Sequence, residues 1–186
     1  MELQDIQKAL KIVESSPEFA SLIPEVRSNL VMSKTSPRGV EDVAGVPGRI
    51  TVINGMPKTC ASPEYGVSSH MARLVLSIMK YDPEKRSAIN MKYDSTLVEI
   101  CQKLGLITSY YNREDEPPEI RDKEGGTIPW GVRNAVEKVH RVPDVIYHTG
   151  GWGKEPSLVL IGENPIEVVK TAICIAKLYK QYSNYD

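Results

Sequence analysis

The sequence predicts a layered α/β domain whose sheet is mixed rather than all parallel. Three observations carry that expectation. Helical and strand-like stretches are interspersed along the chain without the strict alternation of a βαβ series. The 186 residues suffice for one domain with a real core. Hydrophobic residues make up 41% and charged residues 25%, an ordinary balance for a globular protein.

Each element has a local reason. Leu3, Ile6, Leu10 and Val13 recur at helical spacing, so residues 2–15 read as an amphipathic helix ending at Ser15-Ser16-Pro17. Phe19 to Pro24 is a connector. Val26 to Met32 reads as a strand with Arg27 and Asn29 on one face, because alternate side chains point the same way. Ser33 to Gly39 is a loop. Arg49 to Asn54 is rich in β-branched residues and reads as a strand punctuated by Gly48 and Gly55.

Ser68 or Ser69 caps a helix to about Lys80, with Met71, Leu74, Val75 and Ile78 as its buried stripe. Ser87 to Tyr93 is the next strand. Asp94 or Ser95 caps a helix to Leu104, and Gly105 ends it. Leu106 to Tyr111 is a strand, and Asn112 to Gly126 a long polar loop of the kind that often serves as a lid. Thr127 caps a helix with Pro129 in its first turn, running to about His140. Asp144 to His148 is a strand, Gly150 to Pro156 a glycine-rich loop, and Ser157 to Gly162 a strand. Asn164-Pro165 starts a final helix ending near Tyr182.

Composition excludes several classes. The formal net charge is −1, which does not suit a duplex nucleic-acid partner. Cys60, Cys101 and Cys174 are odd in number and far apart, so neither a disulfide framework nor a zinc knuckle is expected, and the thiols read as reduced and mostly buried. No apolar run approaches the roughly 20 residues of a membrane span. The first fifteen residues are charged and helical in pattern, unlike a signal peptide, so a cytoplasmic location is expected. The whole chain is expected to be a single domain, 1–186. Its segment 1–18 suits a linker from a preceding domain.

The cations that matter must then be concentrated locally. Gly66-Val67-Ser68-Ser69-His70-Met71-Ala72-Arg73 places His70 and Arg73 one turn apart at a helix start, where free N–H groups suit a phosphate. Arg49 follows Gly48, which lets backbone approach a ligand while arginine forks onto phosphate oxygens. Arg86, Asn90 and Lys92 alternate on one strand face, with Ala88 leaving room between them. They read equally as an exposed face or as the floor of a polar pocket. Gly150-Gly151-Trp152-Gly153-Lys154-Glu155-Pro156 fails the Walker pattern, since Glu155 follows Lys154 and a strand follows the loop. It can still form a nest of N–H groups beside Lys154. His70, His140 and His148 lack metal-ligand spacing. Asp42, Asp144 or Glu155 can hold Mg²⁺ together with a diphosphate.

These runs, with Asp42-Val43-Ala44-Gly45 and Pro143-Asp144-Val145-Ile146-Tyr147, together resemble the ThiN-type thiamine-phosphate synthase domain, over about residues 20–170. That domain is often fused behind a hydroxymethylpyrimidine (phosphomethylpyrimidine) kinase. The resemblance implies a three-layer α/β/α fold with a mixed, largely antiparallel sheet, similar in topology to class II aldolases but without their metal triad. It implies joining of hydroxymethylpyrimidine diphosphate and hydroxyethylthiazole phosphate, with release of diphosphate. The family's essential arginine and histidine match Arg49 and His70. Arg49, His70 and Arg73 are assigned to the diphosphate with Mg²⁺. Arg86, Asn90, Lys154, Asp144, Gly150, Gly151 and Gly153 are assigned to substrate without apportioning them. The alternative is a thiamine-phosphate-sensing domain of a transcriptional regulator, disfavoured because Arg49 and His70 are both present. A homodimer through the apolar face of Ile166 to Tyr179 is a further expectation.

Overall fold

A computed structural model describes residues 1–151 and 153–183. Nine strands and six α-helices follow one another among these residues. They are α1 Glu2–Glu14, β1 Leu30–Ser33, β2 Val43–Gly45, β3 Ile50–Ile53, β4 Met56–Thr59, β5 Glu64–Tyr65, α2 Ser69–Met79 and β6 Ser87–Lys92. Then come α3 Ser95–Lys103, β7 Thr108–Tyr110, α4 Pro118–Arg121, α5 Thr127–Val139, β8 Val145–His148, β9 Ser157–Gly162 and α6 Pro165–Ser183.

Seven strands form one sheet in the order β5-β2-β1-β6-β9-β8-β7. Every neighbouring pair is antiparallel except β7 and β8. The sheet is mixed and largely antiparallel, as expected. Helices cover both faces. Alternation along β6 shows the division: Ile89 and Met91 enter the core shared with α1, α3 and α6, while Ala88 enters the core shared with α2 and α5. No described helix is long and apolar enough to cross a membrane.

Where the local signal was strong, elements and expectations coincide. Asp94 caps α3 by accepting the Thr96 N–H at 2.8 Å, and Gly105 follows with φ 78°. Asn164 accepts the Glu167 N–H at the start of α6.

The differences have physical causes. The predicted strand Val26–Met32 shrinks to β1, because Arg27 takes φ 68° and breaks the extended chain. Arg27 and Asn29 therefore share no strand face. Asn54-Gly55, with φ 52° and 76°, turns β3 directly into β4 as a two-residue hairpin, where the sequence predicts only the first strand and its end at Gly55. β2 and β5 are too short to show an alternating pattern. The loop 112–126 contains a 3₁₀ turn at Arg113–Asp115 and the short α4. α1 is a core element, with Ile6, Ala9, Leu10 and Val13 fully buried. The apolar face of Ile166–Tyr179 is spent inside the fold: Val168, Val169, Ala172 and Ala176 join the core, so the face expected at a dimer contact is internal. Of the three thiols only Cys101 is buried; Cys60 and Cys174 are exposed.

The segment before β1 is held by side chains beside a single backbone bridge from Ser28 to Ile50. Asn29 is buried; its Nδ2 donates to the Val46 carbonyl at 3.2 Å and its Oδ1 accepts the Val46 N–H at 2.9 Å. The Asn29 N–H donates to Asn90 Oδ1 at 2.7 Å, and Asn90 Nδ2 donates to the Arg27 carbonyl at 3.0 Å. Two amides thus tie residues 27–29 to β6 and to the turn before β3. Asn29→Ala leaves both polar groups of Val46 without these partners, and unfolding in urea should show a loss of about 2–3 kcal/mol. A loss of only about 0.5 kcal/mol, that of an ordinary surface substitution, would show the clamp to be dispensable.

Candidate active site

The clamp fixes the turn Val46–Arg49, where the Arg49 N–H returns to the Val46 carbonyl at 3.1 Å. Gly48 and Arg49 both lie in the left-handed region, at φ 72° and 67°. A non-glycine residue is strained there, and such strain persists only where surrounding structure enforces it. The turn sends the Arg49 side chain back across the end of the sheet, where its guanidinium donates to the Val26 carbonyl.

There it reaches a cavity of about 240 Å³. The cavity forms where the α2 N-terminus, the ends of β6 and β8, the start of β9 and the Val46–Arg49 turn meet. Arg49, His70, Asn90, Arg113, His148 and Lys154 stand in its wall. Ser68 also lines it, and the first N–H groups of α2 have no intrahelical acceptor. Glu155 is a carboxylate in the wall. Among its charged lining residues the cations Arg49, Arg113 and Lys154 outnumber Glu155, the complement of an anion.

His70 has its surface open to this cavity, yet it sits in a concave wall of protein. That desolvation, followed by the charges of Arg49, Arg113, Arg73 and Lys154, lowers its pKa below the ordinary histidine value. His148, only 9% exposed, is lowered to about 4 by burial and then by Arg113 and His70.

Arg113 and His148 were not singled out in the sequence. Arg113 lay in a polar stretch read as loop. The structure braces it: Nη2 is 3.6 Å from Oε2 of Glu116, a carboxylate only 3% exposed that also accepts the Thr127 hydroxyl. Gly151 lies against the Arg113 side chain, 3.4 Å from a Cβ placed on the glycine. A signal for His148 was present: it closes an apolar strand directly before the glycine loop.

Five predicted residues meet in this wall: Arg49, His70, Asn90, Lys154 and Glu155. Asn90 arrives with its amide already engaged at Asn29 and Arg27. The others are placed elsewhere. Arg73 sits three residues past His70, about 60° around the helix, and its guanidinium packs beside Gly125 at 3.0 Å from a Cβ built there. Arg86 lies at the far end of β6, donating to the Ser33 carbonyl at 2.9 Å and standing 3.7 Å from Glu2. Lys92 covers the Tyr179 ring on the opposite face. Asp144 accepts the Ile107 N–H at 3.0 Å at the start of β8, the end opposite His148.

The glycine loop is not an open nest. Gly150 donates its N–H to His148, and Gly151 donates to the Lys154 carbonyl while its own carbonyl accepts the Lys154 N–H. Gly150, at φ 89°, leaves no room for a Cβ, which would stand 2.7 Å from the Lys154 carbonyl oxygen. Gly153, at φ 65°, turns the loop back so that Lys154 enters the cavity. Trp152 lies outside the described residues.

The chain matches the family model described as Thiamine-phosphate synthase ThiN over residues 5–173. It is 49% identical over 180 residues to the thiamine-phosphate synthase ThiN of Methanothermobacter thermautotrophicus, covering 97% of this chain and 95% of that protein. It is 39% identical over 161 residues to the bifunctional thiamine biosynthesis protein ThiDN of Methanocaldococcus jannaschii; this covers 86% of the chain but 37% of the relative's length. The solved C-terminal domain of a phosphomethylpyrimidine kinase superimposes with a TM-score of 0.88 at 41% identity, covering 94% of this chain and 97% of that one.

The geometry separates two arginines that the sequence could not rank. Arg49→Ala should weaken binding of inorganic diphosphate about tenfold or more, the worth of a charge-assisted hydrogen bond, whereas Arg86→Ala should leave it nearly unchanged. Titration calorimetry measures both, and equal losses would mean that the anion does not bind in this cavity.

Proposed function

The chain belongs to the thiamine-phosphate synthase ThiN family, and on that premise we propose how its cavity does the work. It is a thiamine-phosphate synthase, a transferase of thiamine biosynthesis. The observation that carries the proposal is the gathering of Arg49, Arg113 and Lys154 around His70 at the end of the sheet. No observation favours the sensing alternative.

The reaction sets a clear electrostatic task. The thiazole nitrogen of hydroxyethylthiazole phosphate attacks the methylene of hydroxymethylpyrimidine diphosphate while the C–O bond to the diphosphate breaks. The leaving group gains negative charge as that bond lengthens. Fixed cations beside it stabilise the transition state more than the ground state, and that difference is catalysis. Arg49 and Arg113 are fixed by Val26 and Glu116 respectively, so little reorganisation accompanies the charge shift. His70, at the start of α2, donates to the same oxygens. Lys154 and Asn90 border the remaining space, where holding both substrates in line supplies a further advantage.

Mg²⁺ fits this donor set as an ion carried by substrate phosphates. Asp42 is taken by Lys34 at 2.6 Å and by the Arg38 N–H, and Asp144 by the Ile107 N–H. Glu155 is the carboxylate of those three that lines the cavity and would hold the ion. Mg²⁺ characteristically uses one or two carboxylates with phosphate oxygens and retained waters. When bound it would neutralise part of the diphosphate charge.

Incubation with both substrates and Mg²⁺, followed by thiochrome fluorescence, should show thiamine phosphate from the native chain and little from His70→Ala. Undiminished activity in that variant would remove His70 from the mechanism.

The lowered pKa of His70 adds a second expectation. His70 is therefore neutral at pH 7 and above and serves the anion as a one-proton donor, so diphosphate binding there should take up no proton at this residue. Calorimetry in buffers of different ionisation enthalpy should give the same proton count for the native chain and for His70→Ala, and a larger uptake in the native chain would show His70 bound as the imidazolium.

A further inference from the structure

His148 is the residue of the cavity wall that this scheme leaves without a task. β8 carries it there, beside His70 and Arg113. Its Nδ1 accepts the Gly150 N–H at 3.1 Å. A ring nitrogen that accepts a hydrogen bond carries no proton, so the proton of this imidazole resides on Nε2. Protonating Nδ1 as well would set two N–H groups against each other and add charge beside Arg113 and His70. Burial already disfavours that charge. His148 is therefore a donor that stays neutral near neutral pH.

Next to the main cavity lies a second void of about 20 Å³. His70 and His148 both line it, together with Tyr111 and Ser157. An ordered water needs about 10–15 Å³ and two to four polar partners; this void has the volume, and its wall, otherwise aliphatic, carries those four polar side chains. With His70 in the wall stand Arg49 from the turn before β3, Arg113 after β7 and Lys154 from the glycine loop, and the charge of Arg73 acts on it from its own helix. All four are donors without an acceptor atom.

We infer that His148 is a positioning residue for His70. Its Nε2–H, set by the Gly150 amide, donates to a water in the shared void, and that water donates to the His70 nitrogen facing it. The remaining His70 nitrogen then keeps its proton and points it at the anion in the main cavity. The inference rests on the proposed reading of that cavity, in which His70 serves the diphosphate. It explains why a histidine is buried in a cationic wall where it carries no charge: a further cation there would add to the repulsion among Arg49, Arg113 and Lys154, whereas a neutral donor orients His70.

Two substitutions separate this role from mere support of the loop. His148→Asn retains an acceptor where Nδ1 stands and loses the distal donor. His148→Gln retains a distal donor and loses the near acceptor. The chain has three histidines, so ¹⁵N-labelled imidazoles can be followed singly. His148→Asn should lower kcat about tenfold or more, the usual effect of removing a partner that orients a working group, with little change in either KM. In the same variant the ¹⁵N signals of His70 should pass from one tautomer to a mixture. His148→Gln should recover most of the rate and the single tautomer. In the native protein His148 itself should appear as the Nε2–H form.

Three results would each overturn the inference: an unchanged His70 tautomer in His148→Asn, rescue by Asn but not by Gln, or a native His148 protonated on Nδ1. The tautomer readout does not depend on turnover. A native chain that made no thiamine phosphate would therefore defeat the functional reading and still leave this test decidable.

Discussion

The hydrogen bonds of two side-chain amides, the buried Asn29 and the half-buried Asn90, underlie the site. Asn29 closes both polar groups of Val46, and Asn90 closes the backbone of residues 27 and 29. Without them the chain before β1 would keep only the backbone bridge of Ser28 to Ile50, because Arg27 leaves the extended region. The same bonds fix the turn that carries Arg49. A single polar cluster thus joins three distant segments, and the cavity exists because they are joined. Such clusters are stable only when fully satisfied, since a half-paired amide in a low-dielectric interior costs more than an apolar replacement.

Charge is distributed on the same plan. The chain is nearly neutral overall, with a formal net charge of −1. Neutrality across the surface and cationic character in one cavity are compatible because carboxylates are assigned elsewhere. Asp42 takes Lys34, Glu2 lies beside Arg86, and Asp144 serves the backbone at Ile107. Glu116 does the opposite and works for the site: it is buried, and it holds Arg113 in place. Opposed to these fixed charges are two imidazoles, the buried His148 and His70 in its concave wall, whose lowered pKa values keep them from adding to the repulsion.

The antiparallel order of β6, β9 and β8 explains which residues can cooperate. Asn90, Ser157 and His148 belong to three strands and reach one end of the sheet, with His148 directly opposite Ser157 in the register. Arg86, four residues before Asn90, is about 13 Å away along its strand at the usual rise. Residues adjacent in sequence are thus divided between the two ends, and residues some sixty positions apart meet. The tyrosines nearby obey the same logic: Tyr110 and Tyr93 each stack on Tyr147 at 5.6 Å, from three different strand ends.

Local chemistry alone determined much of this protein. The long helices, the caps at Asp94 and Asn164, the central strands and the mixed character of the sheet follow from periodicity and turn residues, which act over a few positions. Arg49, His70 and Lys154 were legible as anion-binding types beside glycines or a helix start, and the family resemblance named the chemistry they serve. Tertiary structure alone decided the rest. It separated Arg49 from Arg86 and Arg73, whose identical guanidinium groups carry no mark of where they will point. It converted Asn90 from a ligand candidate into a clamp, and the glycine nest into a closed turn, because backbone donors are claimed by whichever acceptor the fold brings near. It also brought in Arg113 and His148, whose roles depend on Glu116 and Gly150. Spacing along a chain constrains neighbours within a turn or two; partners across a sheet are chosen by strand order and register, which no local pattern records.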